Sequence, residues 1–234
     1  MNKGNNKKIG IIGGVGPQAT CVLYSEITKF SQVKYGAKNN DDYPAVTIES
    51  VPIPDFISNK GRMDEAFFML EKAVRNLESV GCTRLCIASN TVHLLLTGLQ
   101  RMAQVKFLSV ISLVAKKVND LKIKKVGLVG SSILLGSGLY EKELEKCGIE
   151  SILPDEGERI IIDRIIRYVL AGEDNGRERN TYIKILHNLI DKGVKGIILG
   201  CTELPLAINY EALGEKIINS KKVLAEGIVD YYYT

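Results

Sequence analysis

Short runs rich in isoleucine and valine recur along this chain, and most are followed by a longer stretch in which apolar residues return at helical spacing. A strand covered on both faces reads as a continuous apolar run, and a parallel sheet between layers of helix is the architecture that needs many of them. The runs predict strands near 8–13, 45–53, 84–88, 107–110, 125–130, 149–152, 195–199 and 215–218. Helices fill most of what lies between, at 17–34, 63–80, 92–103, 112–121, 138–147, 158–171, 176–192 and 221–232, the first opened by Pro17 at a first-turn position. The stretches 36–43 and 172–176 read as exposed turns. The expected fold class is therefore α/β, with mainly parallel sheets flanked by helices.

The pattern also repeats. KKIGIIGG at 7–14 matches KKVGLVGS at 124–131, and TRLCIASNT at 83–91 matches VKGIILGCT at 194–202. Gly14 and Ser131 lie 117 residues apart, Ser89 and Cys201 112. Any doubly wound fold repeats buried strands, but two motifs in one order at nearly one offset point to two βα lobes, related by duplication or by convergent packing. A chain of 234 residues with 45% hydrophobic content sits where one core commonly splits into two. The lobes are drawn as 1–111 plus about 217–234, and about 112–216. Ligands of open α/β sheets bind beyond the carboxyl ends of strands, and both repeated motifs put small polar residues there, with Ser89 and Cys201 at equivalent points.

Composition narrows the function. A net charge of +4 spread over residues of both signs builds no field for nucleic acid or a membrane surface, so neither partner is expected. The apolar run IGIIGGV behind Lys3, Lys7 and Lys8 is too short for a secretory leader, which predicts a cytoplasmic protein. Five cysteines without a CxxC pair, and two histidines, argue against a disulfide framework or a zinc site.

Each polar motif has a plain and a chemical reading. GIIGGVGPQAT at 10–20 resembles a phosphate loop, but no Lys-Ser/Thr follows it and Gly10, Gly13, Gly14 and Gly16 miss the dinucleotide spacing. A loop holding a small carboxylate fits better. SNTVH at 89–93 is either a helix cap through Ser89 or Asn90, or a set of ligand groups at a strand end. In GCTELPL at 200–206, Cys201 is either a small buried hydrophobe or a thiol activated at the start of a short helix. Glu203 is either a helix carboxylate without a catalytic role or a group that tunes the thiol.

Taken together, GGVGPQAT, SNTVH, GSSILLGSGLYEKEL at 130–144 and GCTELPL resemble the aspartate/glutamate racemase family, in order and over nearly the whole chain. The resemblance implies two pseudo-symmetric lobes with the active site in the cleft between them, no cofactor and no metal, an amino-acid or small-carboxylate substrate, and a homodimer. In that family two cysteines face opposite sides of the substrate α-carbon, and Cys201 falls on the second of them. Ser89 stands where the first usually lies. Val15 replaces a usual methionine, Leu134 a frequent threonine, and Phe56 an arginine that pairs with a substrate carboxylate in aspartate racemases.

Removing a proton from a weakly acidic carbon and returning it on the other face takes two groups. Cys201, as thiolate, is the expected base, and Ser89, or a water it holds, the expected donor. Gly14 and Val15, with Asn90, Thr91, Ser131, Ser132 and Thr202, are the groups expected to hold the α-carboxylate and the developing negative charge. Arg159 is either a substrate-reaching cation or a solvated helix residue. His93 and His187 read as supports for packing. Two rival functions remain open: a lyase or decarboxylase that protonates a carbanion from one face with its single thiol, and a non-catalytic amino-acid-binding protein. If Phe56 occupies the arginine position, Phe56→Arg supplies a bidentate partner for a side-chain carboxylate. Activity toward aspartate or glutamate then rises relative to neutral amino acids, and unchanged selectivity in a folded variant rules out that alignment.

Overall fold

Strand β1 (Lys8–Gly13) lies between β2 (Ala45–Ser50) and β3 (Arg84–Ile87), and β4 (Phe107–Leu108) pairs with the far side of β3, all parallel. A second sheet, of β5 (Lys125–Val129), β6 (Glu150–Ile152), β7 (Ile197–Leu199) and β8 (Ile217–Asn219), repeats that order as β6-β5-β7-β8. These sheets come from a computed structural model that describes residues 6–54, 60–173, 176–208, 210 and 217–234. One unit comprises Met1–Val110 with Lys221–Thr234, the other Ile111–Ser220. The α/β fold with two parallel four-stranded sheets flanked by helices is the fold expected from the apolar runs.

Ile9, Ile11 and Ile12 of β1 and Ile197 and Ile198 of β7 have no exposed surface, which is why these strands read as unbroken apolar runs. In the first unit, helix α1 (Pro17–Tyr35) starts on the proline and ends at Gly36, whose φ of +69° only glycine adopts cheaply. Helices α2 (Met63–Ser79) and α3 (Leu96–Met102) follow. The second unit carries α4 (Val110–Asp120), α5 (Ser132–Leu135), α6 (Leu139–Glu145), α7 (Glu156–Ala171), α8 (Gly176–Asp191) and α9 (Leu204–Ala207). The last helix, α10 (Ser220–Tyr233), returns to the first unit. Lys34 pairs there with Glu226 at 3.1 Å and Asp230 at 2.7 Å, Tyr35 donates to Asp230 at 2.9 Å, and the rings of Tyr35 and Tyr233 stack at 4.4 Å.

The element boundaries differ from the sequence pattern where local polar chemistry intervenes. Strand β2 stops at Ser50, and the stretch read as an exposed turn at 36–43 holds a 3-10 turn, Asn40–Asp42, closed by a reciprocal box between Asn39 and Asp42. The helix expected at 92–103 opens with a 3-10 turn, Thr91–Leu95. Helix α7 begins two residues early because Asp155 and Glu158 form a capping box, a signal the sequence carried. Residues 174, 175, 215 and 216, on which parts of an expected turn and of the last strand fall, lie outside the described residues. Cys21 is exposed on α1, Cys82 is buried in the connection from α2 to β3, Cys147 sits in a turn, and Cys86 is buried in β3.

His93 fixes the end of β3. Its Nδ1 donates to the Ser89 carbonyl at 2.8 Å, and its Nε2 accepts from the Val110 backbone N–H at 3.2 Å, so the ring is neutral with the proton on Nδ1. Burial pulls this imidazole from its ordinary 6.5 down to about 4. The unfolded chain takes up a proton near 6.5 and the folded one does not, so the stabilisation is complete above that pH and fades as pH falls toward 4. Its size is roughly 3 kcal/mol. Urea unfolding from pH 7 to 4.5 therefore gives a steeper loss of stability in the wild type than in His93→Gln, whose amide has no such titration. Equal slopes would contradict the clamp.

Candidate functional site

In the second unit the ends of β5 and β7 lie side by side, with Val129 opposite Leu199 and the Gly200 N–H bound to the Val129 carbonyl at 2.7 Å. A Cβ on Gly200 would stand 3.1 Å from that carbonyl oxygen, so bare backbone permits the approach. Beyond Gly200 the chain turns through Cys201, Thr202 and Glu203, all buried, into the single turn of α9. The Cys201 Sγ donates to Glu203 Oε2 at 3.1 Å, and the Thr202 hydroxyl donates to the same oxygen at 2.8 Å.

This geometry works against the lowering expected for a thiol at a helix start. Burial, and then the Glu203 carboxylate, push Cys201 well above the ordinary thiol range, while the backbone N–H groups of Glu203 and Leu204 pull weakly the other way. Four residues of helix do not outweigh desolvation, and the Cys201 thiol hydrogen-bonds the Glu203 side chain. Burial raises the phenol of Tyr182 on α8, whose oxygen has no hydrogen-bond partner among the described residues.

The other expected groups of this unit are partly committed to local structure. Ser131 caps α5, its Oγ accepting from the Leu134 N–H at 3.4 Å, and the Ser132 N–H is taken by Asp163 Oδ1 at 2.9 Å. Leu134 is buried on α5 behind them. Arg159, half-buried in the first turn of α7, donates through Nε to the Pro154 carbonyl at 2.8 Å. His187 is exposed on α8.

In the first unit the loop after β1 and the segment after β3 leave adjacent strands, with the Ala88 N–H bound to the Ile12 carbonyl at 2.9 Å. Gly14 has φ of +86°, and a Cβ there would lie 2.6 Å from the Val51 nitrogen. Its N–H donates to Thr20 Oγ1 at 3.0 Å, while the Thr20 hydroxyl reaches the Gly16 carbonyl at 3.3 Å. The donor expected to serve a ligand at Gly14 is thus spent within the loop, which leaves Gly14 a shaping role beside the half-buried Val15. Ser89 and Asn90 are buried and Thr91 half-buried. Asn90 makes no side-chain cap to the 3-10 turn that it precedes. Phe56 lies outside the described residues.

Sequence reading left Thr20 and Asp163 out, and neither carries a spacing signal that would have found it. Among the described residues no group of three His, Cys, Asp or Glu side chains could hold a metal ion, and no helix is long and apolar enough to cross a membrane.

Comparison with known proteins identifies the family. The family model for Asp/Glu/hydantoin racemases covers residues 12–227. A broad specificity amino-acid racemase of Bacillus subtilis (strain 168) is 25% identical over 224 residues, spanning 96% of this chain and 97% of its own. An aspartate racemase homologue from Pyrococcus horikoshii OT3 superposes with a TM-score of 0.80 at 30% identity, over 97% of this chain and 100% of that one. The Picrophilus torridus aspartate racemase does so with a TM-score of 0.84 at 26% identity, over 97% and 94%. The chain belongs to the Asp/Glu/hydantoin racemase family, a family of isomerases.

Proposed function

We propose that this protein is a cofactor-independent amino-acid racemase in which Glu203 takes the proton of Cys201, the resulting thiolate removes the substrate α-hydrogen, and Ser89, directly or through a water, returns a proton on the other face. The observation that carries the reading is the hydrogen bond from the Cys201 thiol to Glu203 Oε2 at 3.1 Å, in a buried turn at the end of a parallel strand. A buried thiol held above its ordinary range is a poor base until a neighbour accepts its proton, and a carboxylate at hydrogen-bond distance is such a neighbour.

The proton account closes. Transfer from sulfur to Glu203 gives a thiolate and a carboxylic acid; the thiolate takes the α-hydrogen and becomes a thiol again, leaving the electron pair delocalised into the substrate carboxylate. A proton from the Ser89 side fills the opposite face, and the proton on Glu203 makes good that donor through solvent. Asn90, Thr91, Ser131, Ser132, Thr202, Val15 and Arg159 are proposed as the surroundings of the substrate carboxylate. Gly14 acts in this reading by fixing the loop after β1.

The substrate class is an α-amino acid. Family membership favours aspartate or glutamate, while Phe56 in place of a cation favours a neutral side chain, because an unpaired carboxylate is costly to desolvate. The breadth in the name of the Bacillus relative supports testing both. Ser89 in place of a second thiol keeps one other reading open, a lyase or decarboxylase that protonates a carbanion from a single face. The protein is proposed to work in the cytoplasm as a homodimer.

The test is a panel of L- and D-amino acids in deuterated water followed by NMR at the α-position. Racemisation gives α-deuteration with inversion for at least one substrate. Cys201→Ala lowers it by about 10³-fold or more, and Glu203→Gln by about 10- to 100-fold, with ligand affinity nearly kept in both. Full exchange in Cys201→Ala would end this mechanism, and wild-type activity in Glu203→Gln would remove Glu203 from it.

A further inference from the structure

The motif GSSILLGSGLYEKEL is only partly used by the reading above, since Tyr140, deep within it, has been given no role. Tyr140 lies on α6 with no exposed surface, and its phenol hydrogen-bonds Ser220, which is also fully buried. Ser220 in turn donates from Oγ to the Leu199 carbonyl at 2.7 Å. Serine has one hydroxyl proton, and it is spent on that carbonyl, so the phenol must be the donor in the first link. The three groups form one directed chain: Tyr140 O–H to Ser220 Oγ, and Ser220 O–H to Leu199 C=O.

Where this chain ends matters. Leu199 is the last residue of β7, paired with Asn219 of β8. At Ser220 the chain leaves the sheet and becomes α10, so the ladder stops one residue after that pair. A hydroxyl on the first residue of the helix takes over the carbonyl at the point where the strand partner turns away. Two residues on stands Cys201, joined to that carbonyl by Gly200, the residue least able to hold a turn by itself. On the β5 side the Gly200 N–H is fixed to the Val129 carbonyl at 2.7 Å. On the β8 side it is Ser220 that fixes the strand end.

We infer that Ser220, oriented by Tyr140, is a positioning residue for Cys201, holding the Leu199 carbonyl so that the Gly200–Glu203 turn keeps its thiol on the Glu203 carboxylate. The inference rests on Cys201 being the reacting thiol. Tyr140 and Ser220 touch no substrate in this account and act through the backbone of the β7 end. Removing either hydroxyl lets the turn relax, and the thiol loses the closely held carboxylate and moves toward ordinary thiol behaviour.

The experiment uses the full chain, three single variants and the double variant Tyr140→Phe/Ser220→Ala. Tyr140→Phe keeps the ring and removes the donor, Ser220→Ala removes the middle hydroxyl, and Ser220→Thr keeps it. Two readouts are taken: kcat and KM for α-deuteration, and the pH dependence of iodoacetamide alkylation at Cys201, followed by peptide-resolved mass spectrometry so that the other cysteines do not interfere. Ser220→Ala is expected to lower kcat by about 10- to 100-fold with KM changed less than about threefold. The apparent Cys201 pKa should fall toward the ordinary thiol value. Tyr140→Phe does the same to a smaller extent, the double variant resembles Ser220→Ala because the two act in series, and Ser220→Thr retains most of the wild-type behaviour. If Ser220→Ala does not fold, Tyr140→Phe decides. Lowered thermal stability with kcat and the alkylation profile unchanged would overturn the inference. Absence of exchange in the wild type would count against the racemase reading, while the alkylation profiles would still support or overturn the role of Ser220.

Discussion

Parallel pairing of β1 with β3 and of β5 with β7 is the constraint on which the rest depends. A parallel pair has no short connection, so each strand must be followed by a crossover, and all the segments that leave its carboxyl ends gather at one edge of the sheet. In the first unit this brings the Gly14 loop beside Ser89. In the second it brings Ser131 beside the Cys201 turn. The same strand order in both sheets means that Ser89 and Cys201 each stand two residues past the end of the third strand of their unit. The two residues that the proposed mechanism uses are thus placed at equivalent strand ends by topology, before any individual contact is considered.

Within each unit, polar side chains then fix the strand ends at specific backbone atoms. His93 bridges the Ser89 carbonyl and the Val110 N–H, Thr20 closes the loop at Gly14, and Ser220 takes the Leu199 carbonyl. Each of these bonds satisfies a buried backbone group that the ladder no longer reaches, where an unmade bond costs about 1–3 kcal/mol. Glu203 differs from them. It accepts from both Cys201 and Thr202, so it sits where the transferable proton is rather than where the backbone needs a partner.

Much of this was legible in the sequence because burial on both faces leaves an apolar run that no other architecture explains as well. The strands at 8–13 and 125–130, the repeat and the positions of Ser89 and Cys201 could all be read from it. What could not be read depends on distance in three dimensions. The thiol was expected to be lowered by a helix N-terminus, because sequence shows that α9 follows Cys201 but not that the turn is buried or that Glu203 folds back onto the sulfur. Spacing marks Ser131 and Ser132 as ligand groups, but does not show that one also caps α5 or that the other's N–H goes to Asp163, thirty-one residues away in the chain. Tyr140 and Ser220 are eighty residues apart, and nothing in their spacing announces that they meet.

The proposed mechanism makes one thiol, paired with Glu203, the base, and Ser89, a hydroxyl that is a poor base, the donor. Its most direct test is a time course of α-deuteration and inversion from each pure enantiomer of the best substrate. Because recapture of a deuteron from Cys201 competes with donation from the Ser89 side, the account, taking the L enantiomer as the one whose α-hydrogen Cys201 removes, predicts that it gains deuterium with retention faster than D product accumulates. Retention-exchange from the D enantiomer should be slow, and Ser89→Cys should raise it. Equal retention-exchange from both enantiomers in the wild type would contradict the account.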